Sequence, residues 1–153
     1  MPSPAPTNWP SARLASGAKI SYPPGWHTLA GDRGSASAAL LDSHGRYLGY
    51  LNLTPRQGAE TQGNWPAFRL RHNAAEGERD VTLDAEAHGL RFLNGRGTCV
   101  NDSYTTSTNT RYVEIACLVG GSHTTSVLIG AAPSEHWSQE SPVIERAISA
   151  AIT

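Results

Sequence analysis

The chain predicts an α+β fold, a central antiparallel sheet covered by helices on at least one face, and three observations carry that prediction. Strand-like runs rich in alternating apolar residues fall into two groups. One helical stripe separates the groups and another closes the chain. The links between the later runs are tight polar turns, too short for the crossovers that parallel strands require. Strands and helices segregated in this way exclude a doubly wound parallel sheet. At 153 residues the chain is one domain, large enough to bury roughly two thirds of its unfolded surface without a metal.

The opening is rich in Pro and Ser up to Pro10, so residues 1–17 are expected to form a flexible tether ahead of a single domain over 18–153. Trp9, within the tether, is a candidate for partner docking. Lys19 to Tyr22 reads as a first strand, stopped by Pro23-Pro24-Gly25, and Trp26 resumes an apolar face to Leu29. Ala36 to Leu41 and Tyr47 to Thr54 flank the polar turn at Asp42-Ser43-His44-Gly45 and make a hairpin. After a polar loop, Asn64 is placed to cap a helix with Pro66 in its first turn and Trp65, Phe68, His72 and Ala75 on one stripe, ended by Gly77. Arg79 to His88 is read as a strand through Leu83 and irregular chain beyond.

From Leu90 onward the pattern is a four-stranded antiparallel meander. Leu90–Leu93 leads through an Asn94-Gly95 turn of tight-hairpin type to Arg96–Thr106, then Arg111–Val119, a Gly120-Gly121-Ser122 turn, and Thr124–Ala131. Pro133 stops the sheet. Ser141-Pro142 is expected to begin a last helix that turns Ile144, Ile148, Ala151 and Ile152 inward beneath Trp137.

Cys99 and Cys117, the only cysteines, sit at mirror positions about the turn at Ser107–Thr110 and are expected to face each other as a disulfide. A structural disulfide implies an oxidising compartment, so the domain is expected to be secreted or anchored at the cell envelope. The opening residues lack the apolar stretch of a signal peptide, and the export signal or anchor is expected upstream of Met1. No apolar run is long enough to span a bilayer. Net charge is −1, from 12 basic and 13 acidic side chains, which gives no electrostatic footprint for nucleic acid. Arg outnumbers Lys eleven to one, a bias that points to a GC-rich bacterial genome.

The order of features resembles the PsbP-like family. Ile20-Ser21-Tyr22-Pro23 with Gly25-Trp26 looks like its opening strand and Pro/Trp corner. The Asn94-Gly95-Arg96 hairpin, the strand with Tyr112 and Glu114, the Gly120-Gly121 turn, Gly130-Ala131-Ala132-Pro133, Trp137 and the closing helix follow in the family's order. The resemblance implies a layered α/β/α sandwich around the antiparallel sheet, and a role as a binding or assembly domain with no catalytic set to carry over. The cysteine pair and the Arg-rich middle helix depart from the plant photosystem members and suggest a bacterial extracytoplasmic branch.

The register that pairs Cys99 with Cys117 also sets Asp102 opposite Glu114, and Tyr104 opposite Tyr112, on the other face of the hairpin. Two facing carboxylates repel, so an arginine, a cation or a shared proton must relieve them. They are the best candidate site, with an Arg-bridged solvent face or a register-shifting bulge as the plainer alternatives. Arg69 and His72, with Arg71 and Arg79 nearby, are candidates for a modest cationic face on the middle helix. The six histidines show no metal-ligand spacing, no Gly-x-Ser-x-Gly elbow or phosphate loop is present, and no metal or cofactor is expected. Three functions remain open: a non-catalytic envelope module binding a protein, lipid or glycan through one face of its sheet or a groove beside the middle helix; the sensory ectodomain of a membrane receptor kinase; and an envelope hydrolase using Asp102 and Glu114.

Overall fold

The computed structural model describes residues 4–153, so residues 1–3 of the expected tether lie outside the described residues. The strands are β1 (Ser11–Arg13), β2 (Lys19–Ser21), β3 (His27–Leu29), β4 (Ala36–Leu41), β5 (Tyr47–Pro55), β6 (Arg79–Arg91), β7 (Gly95–Thr105), β8 (Arg111–Gly121) and β9 (Thr125–Pro133). Helix α1 (Trp65–Ala75) lies between the two strand groups, and α2 (Trp137–Ser149) follows the last strand. β1 and β2 form a small ribbon, and the other seven make one antiparallel sheet in the order β3-β4-β5-β9-β8-β7-β6. The two strand groups of the sequence therefore meet where β9 pairs with β5. The fold is α+β.

Successive residues of a strand point to opposite faces, and β8 shows how the core divides. Cys117 and Val119 join Ile20, Leu51, Leu53, Leu128 and the α2 residues Ile144, Ala147 and Ile148 in one cluster. Ala116 and Leu118 join Trp65 of α1, Val100 and Val127 in a second. α2 lies so close to the sheet that a Cβ at Gly130 would run into Ile144. Gly130→Ala is expected to lift the helix and lower stability by about 1–3 kcal/mol, read from the unfolding midpoint in denaturant.

Cys99 and Cys117 are bonded, and their strands pair in the expected register. The bond closes a loop of sequence separation 18, and by loop-closure entropy its reduction is expected to cost about 3 kcal/mol. Thermal melts with and without reductant check this. The reduced chain should still fold, because most of the buried apolar residues lie outside the loop.

Four expectations are corrected. The segment after Leu83 is strand, not irregular chain: β6 continues to Arg91 as the outer edge of the sheet. It pairs with β7 through three register shifts, with Asp80 and Gly89 at positive φ (51° and 64°). Bulges at an edge break the alternation that a sequence reading relies on, and they also discourage pairing with another chain. Second, α2 begins at Trp137, with Pro142 inside it. Trp137 is half-buried against the core.

Third, the segment expected to be a tether is folded onto the domain from its fifth residue. β1 pairs with β2, Trp9 packs on the core, Arg146 of α2 lies 5.6 Å above the Trp9 ring, and the Ala5 amide donates to the Arg146 carbonyl. Fourth, the Asn94-Gly95 step turns the chain for another reason than the one expected. Neither residue has positive φ, and Gly95 is the first residue of β7, where a Cβ would collide with the Gly120 backbone. The Asn94 side chain clamps the backbone of Thr153, donating from Nδ2 to its carbonyl at 2.6 Å and accepting its amide on Oδ1 at 3.0 Å. Asn94→Ala removes both bonds, and a loss of about 1–2 kcal/mol is expected in the same denaturation assay.

Candidate functional site

Helix α1 is set by the cap residue Asn64, whose side chain is occupied by Thr61 and Ala59 rather than by the helix, and by Pro66 in the first turn. The buried residues of α1 are Trp65, Arg69 and Asn73, spaced at four, and this stripe faces the sheet. The expected stripe of Trp65, Phe68, His72 and Ala75 is thus rotated: Phe68 is half-buried, and His72 and Ala75 are exposed. Trp65 anchors the stripe, with its indole N–H donating to the Ala116 carbonyl at 2.9 Å.

Four residues further along, Arg69 reaches Glu114 with a two-pronged ion pair, Nε to Oε1 at 2.7 Å and Nη2 to Oε2 at 2.9 Å. Tyr104 donates its hydroxyl to Glu114 Oε2 at 3.4 Å, and Asn73 donates to Asp102 Oδ2 at 3.4 Å. Asp102 and Glu114 oppose each other across β7 and β8, as do Tyr104 and Tyr112, whose rings stack with centroids 6.0 Å apart. Asp102 is 0% and Glu114 1% exposed. The carboxylate pair expected from the sequence is present in its register, and the arginine that relieves it is Arg69. That corrects the reading of Arg69 as part of a solvated cationic face. His72 is exposed, stacks on Phe68, sits 3.7 Å from Glu76 and is separate from the buried carboxylate cluster.

A second relief operates on Asp102. Its Oδ1 is buried with no hydrogen-bond partner. Burial first, then the charge of Glu114, push its carboxyl from the ordinary 3.8 up to about 7, against the pull of Arg69. Burial works against the charge on Arg69, but the Glu114 carboxylate more than offsets it and holds the guanidinium protonated. Burial and Glu114 raise the Tyr104 hydroxyl as well.

A pH dependence follows. The folded state binds a proton on Asp102 that the unfolded chain releases near 3.8. Between that value and about 7, stability falls as pH rises, and above the window this contribution is level. Denaturation midpoints across that range should decline for the natural chain, and Asp102→Asn should flatten the decline. Equal slopes in the two proteins would show that the proton resides elsewhere.

α1 packs against β6 and β7, so the same face of the sheet is open over β5 and β9. There a groove of about 640 Å³ runs between α1 and the sheet. Its floor is Asn52, Thr54, Val127 and Ile129, and Phe68 and Tyr104 stand along its helix side. The Arg69 and Asn73 side chains reach its inner wall, which connects it to the buried cluster. Sequence reasoning missed Asn73, whereas a groove beside the middle helix was one of the two binding surfaces it offered. The available signal was the spacing of four from Trp65, which places Arg69 and Asn73 beneath the tryptophan whatever their polarity. Among the described residues, no group of three His, Cys, Asp or Glu side chains is arranged to hold a metal ion, and no helix is long and apolar enough to cross a membrane.

No family model matches the chain, and no curated protein matches it. Solved structures do. Cyanobacterial PsbP from Synechocystis sp. PCC 6803 superimposes with a TM-score of 0.68 at 11% identity, over 96% of this chain and 93% of that one. A protein from Bacteroides thetaiotaomicron VPI-5482 gives 0.58 at 13% identity over 92% of this chain, which spans about half (47%) of that protein's length. The Pseudomonas aeruginosa protein PA94, described as of unknown function and a putative regulator, gives 0.52 at 9% identity, over 92% and 94% of the two chains. Similarity along nearly the whole length, at identities this low, is similarity of architecture, and the architecture of this chain is the PsbP-like fold.

Proposed function

We propose that the chain is a non-catalytic extracytoplasmic binding module of the bacterial envelope, and that its ligand site is the groove between α1 and the β5–β9 half of the sheet. The two helices, packed on opposite faces, then form the outer layers of an α/β/α sandwich, with the ligand taken where one layer stops short. The observation that carries the reading is the burial of the carboxylate pair. Asp102 and Glu114 are at most 1% exposed, and Glu114 is engaged by Arg69 and Tyr104, so neither oxygen pair is placed to touch a substrate. This argues against the hydrolase alternative. The Cys99–Cys117 bond supports the oxidising location.

The groove has the size of small-ligand sites, with a mixed apolar and polar lining. Thr54→Trp fills it while altering only one weak side-chain bond, from Gln57. Amide NMR spectra, recorded while envelope fractions are added, test the reading. Shifts should concentrate at Asn52, Phe68, Asn73 and Val127 and vanish in Thr54→Trp. Shifts confined to the α2 face, unaffected by that substitution, would place binding elsewhere.

A further inference from the structure

The groove carries a charge pattern that the whole chain does not. The net charge is only −1, yet Asp32, Glu60, Glu76 and Glu78 line the groove against two basic side chains, Arg69 and His72; the guanidinium is already paired with Glu114, and the imidazole lies 3.7 Å from Glu76. Glu60 is partly engaged, accepting the amides of Gln57 and Gly58 on Oε1 at 2.8 and 3.3 Å. Glu78 is not: its Oε2 is buried and has no hydrogen-bond partner. A carboxylate oxygen only accepts, so a buried one without a donor is a place for an N–H or O–H from outside the chain. Burial and the nearby Glu114 charge raise the Glu78 carboxyl, as expected where negative charge gathers unrelieved. Phe68 supplies a ring, stacked between Trp65 and His72, and Ile129 an apolar floor.

We propose that the groove binds an organic cation, an ammonium or guanidinium group, which donates to Glu78 under the field of Glu76 and Asp32 while its carbon stem lies along Phe68 and Ile129. An anion would meet four carboxylates against an arginine already paired with Glu114 and a histidine beside Glu76, and a neutral ligand would leave the carboxylates' repulsion in place. A cation relieves it. The inference rests on the groove being the ligand site, as proposed above, and adds the chemistry of what enters it.

The test uses the full chain and three probes: agmatine, the peptide acetyl-Lys-Arg-Lys-amide, and maltotriose as a neutral control of similar bulk. Agmatine or the peptide should shift the amides of Gln57, Asn73 and Glu78. The affinity should fall with salt as screening shortens to about 8 Å at physiological ionic strength. The double variant Glu76→Gln/Glu78→Gln should bind at least about ten-fold more weakly. It should keep its fold, since Glu76 is exposed and Glu78 loses an unpartnered charge, and circular dichroism verifies this. Agmatine binding as tightly as the peptide identifies a free small cation, and a peptide at least about ten-fold tighter identifies a basic polypeptide segment. Groove shifts with maltotriose alone, or cation binding unchanged in the double variant, would overturn the cation while leaving the groove standing. Cation-induced shifts only at residues distant from the groove would overturn both.

Discussion

Replacing Arg69 by Ala is expected to cost about 3–5 kcal/mol of folding stability, the range for removing one partner from a buried ion pair. The loss comes from what remains. Glu114, 1% exposed and facing Asp102, keeps only the Tyr104 hydroxyl at 3.4 Å. It must either take up a proton or carry an uncompensated charge in the core. Arg69→Lys should recover only part of the loss, because an ammonium cannot span both carboxylate oxygens as Nε and Nη2 do. Pairing Arg69→Met with Glu114→Gln should recover more, since it removes both charges and keeps the volume. Urea denaturation followed by far-ultraviolet circular dichroism measures each variant. A loss below about 1 kcal/mol for Arg69→Ala would mean that the pair is solvated and worth no more than a surface contact.

Trp65→Ala is expected to be about as damaging, at about 3–5 kcal/mol. The side chain is 1% exposed and is the largest member of the α1-side cluster with Val100, Ala116, Leu118 and Val127. Its loss opens a cavity under the first turn of α1 and frees the Ala116 carbonyl of its indole donor. Trp65→Phe separates the two effects. It keeps most of the packing and gives up the hydrogen bond, at about 1 kcal/mol. Because Trp65 also fixes the helix over β8, its truncation should loosen the Arg69 pair four residues on. The pH slope assigned to Asp102 should then weaken along with the stability. A Trp65→Ala protein that loses stability but retains the full slope would uncouple the two.

Register proved the most legible property of this sequence. Strand side chains repeat every second residue, so a single turn placed at Ser107–Thr110 fixes every pairing of β7 with β8 at once. Cys99 with Cys117, Asp102 with Glu114 and Tyr104 with Tyr112 all followed from it. Helix orientation was less legible, because the face of α1 was sought among apolar residues. The stripe that docks is one aromatic followed by Arg69 and Asn73, and polar side chains that meet partners on another element give no local signal. β6 was hidden for a different reason, as its three register shifts carry residues out of alternation. The first segment was misread by composition, since Pro and Ser describe a linker well until Trp9 finds Arg146 on a helix more than a hundred positions away.

The β7–β8 hairpin bears its disulfide on the α2 side and its opposed carboxylates on the α1 side, three positions apart along each strand. Oxidation therefore does more than shorten a loop. Once Cys99 is joined to Cys117, the strands cannot slide or part to ease the crowding of Asp102 against Glu114, which is eased instead by Arg69 on Glu114 and by the proton on Asp102. The covalent bond thus keeps the two carboxylates opposed whether or not α1 is docked. In a reduced chain only the β7–β8 ladder holds the two carboxylates together, so local opening of the hairpin can ease them, and loss of Arg69 should weigh more heavily on the oxidised protein than on the reduced one.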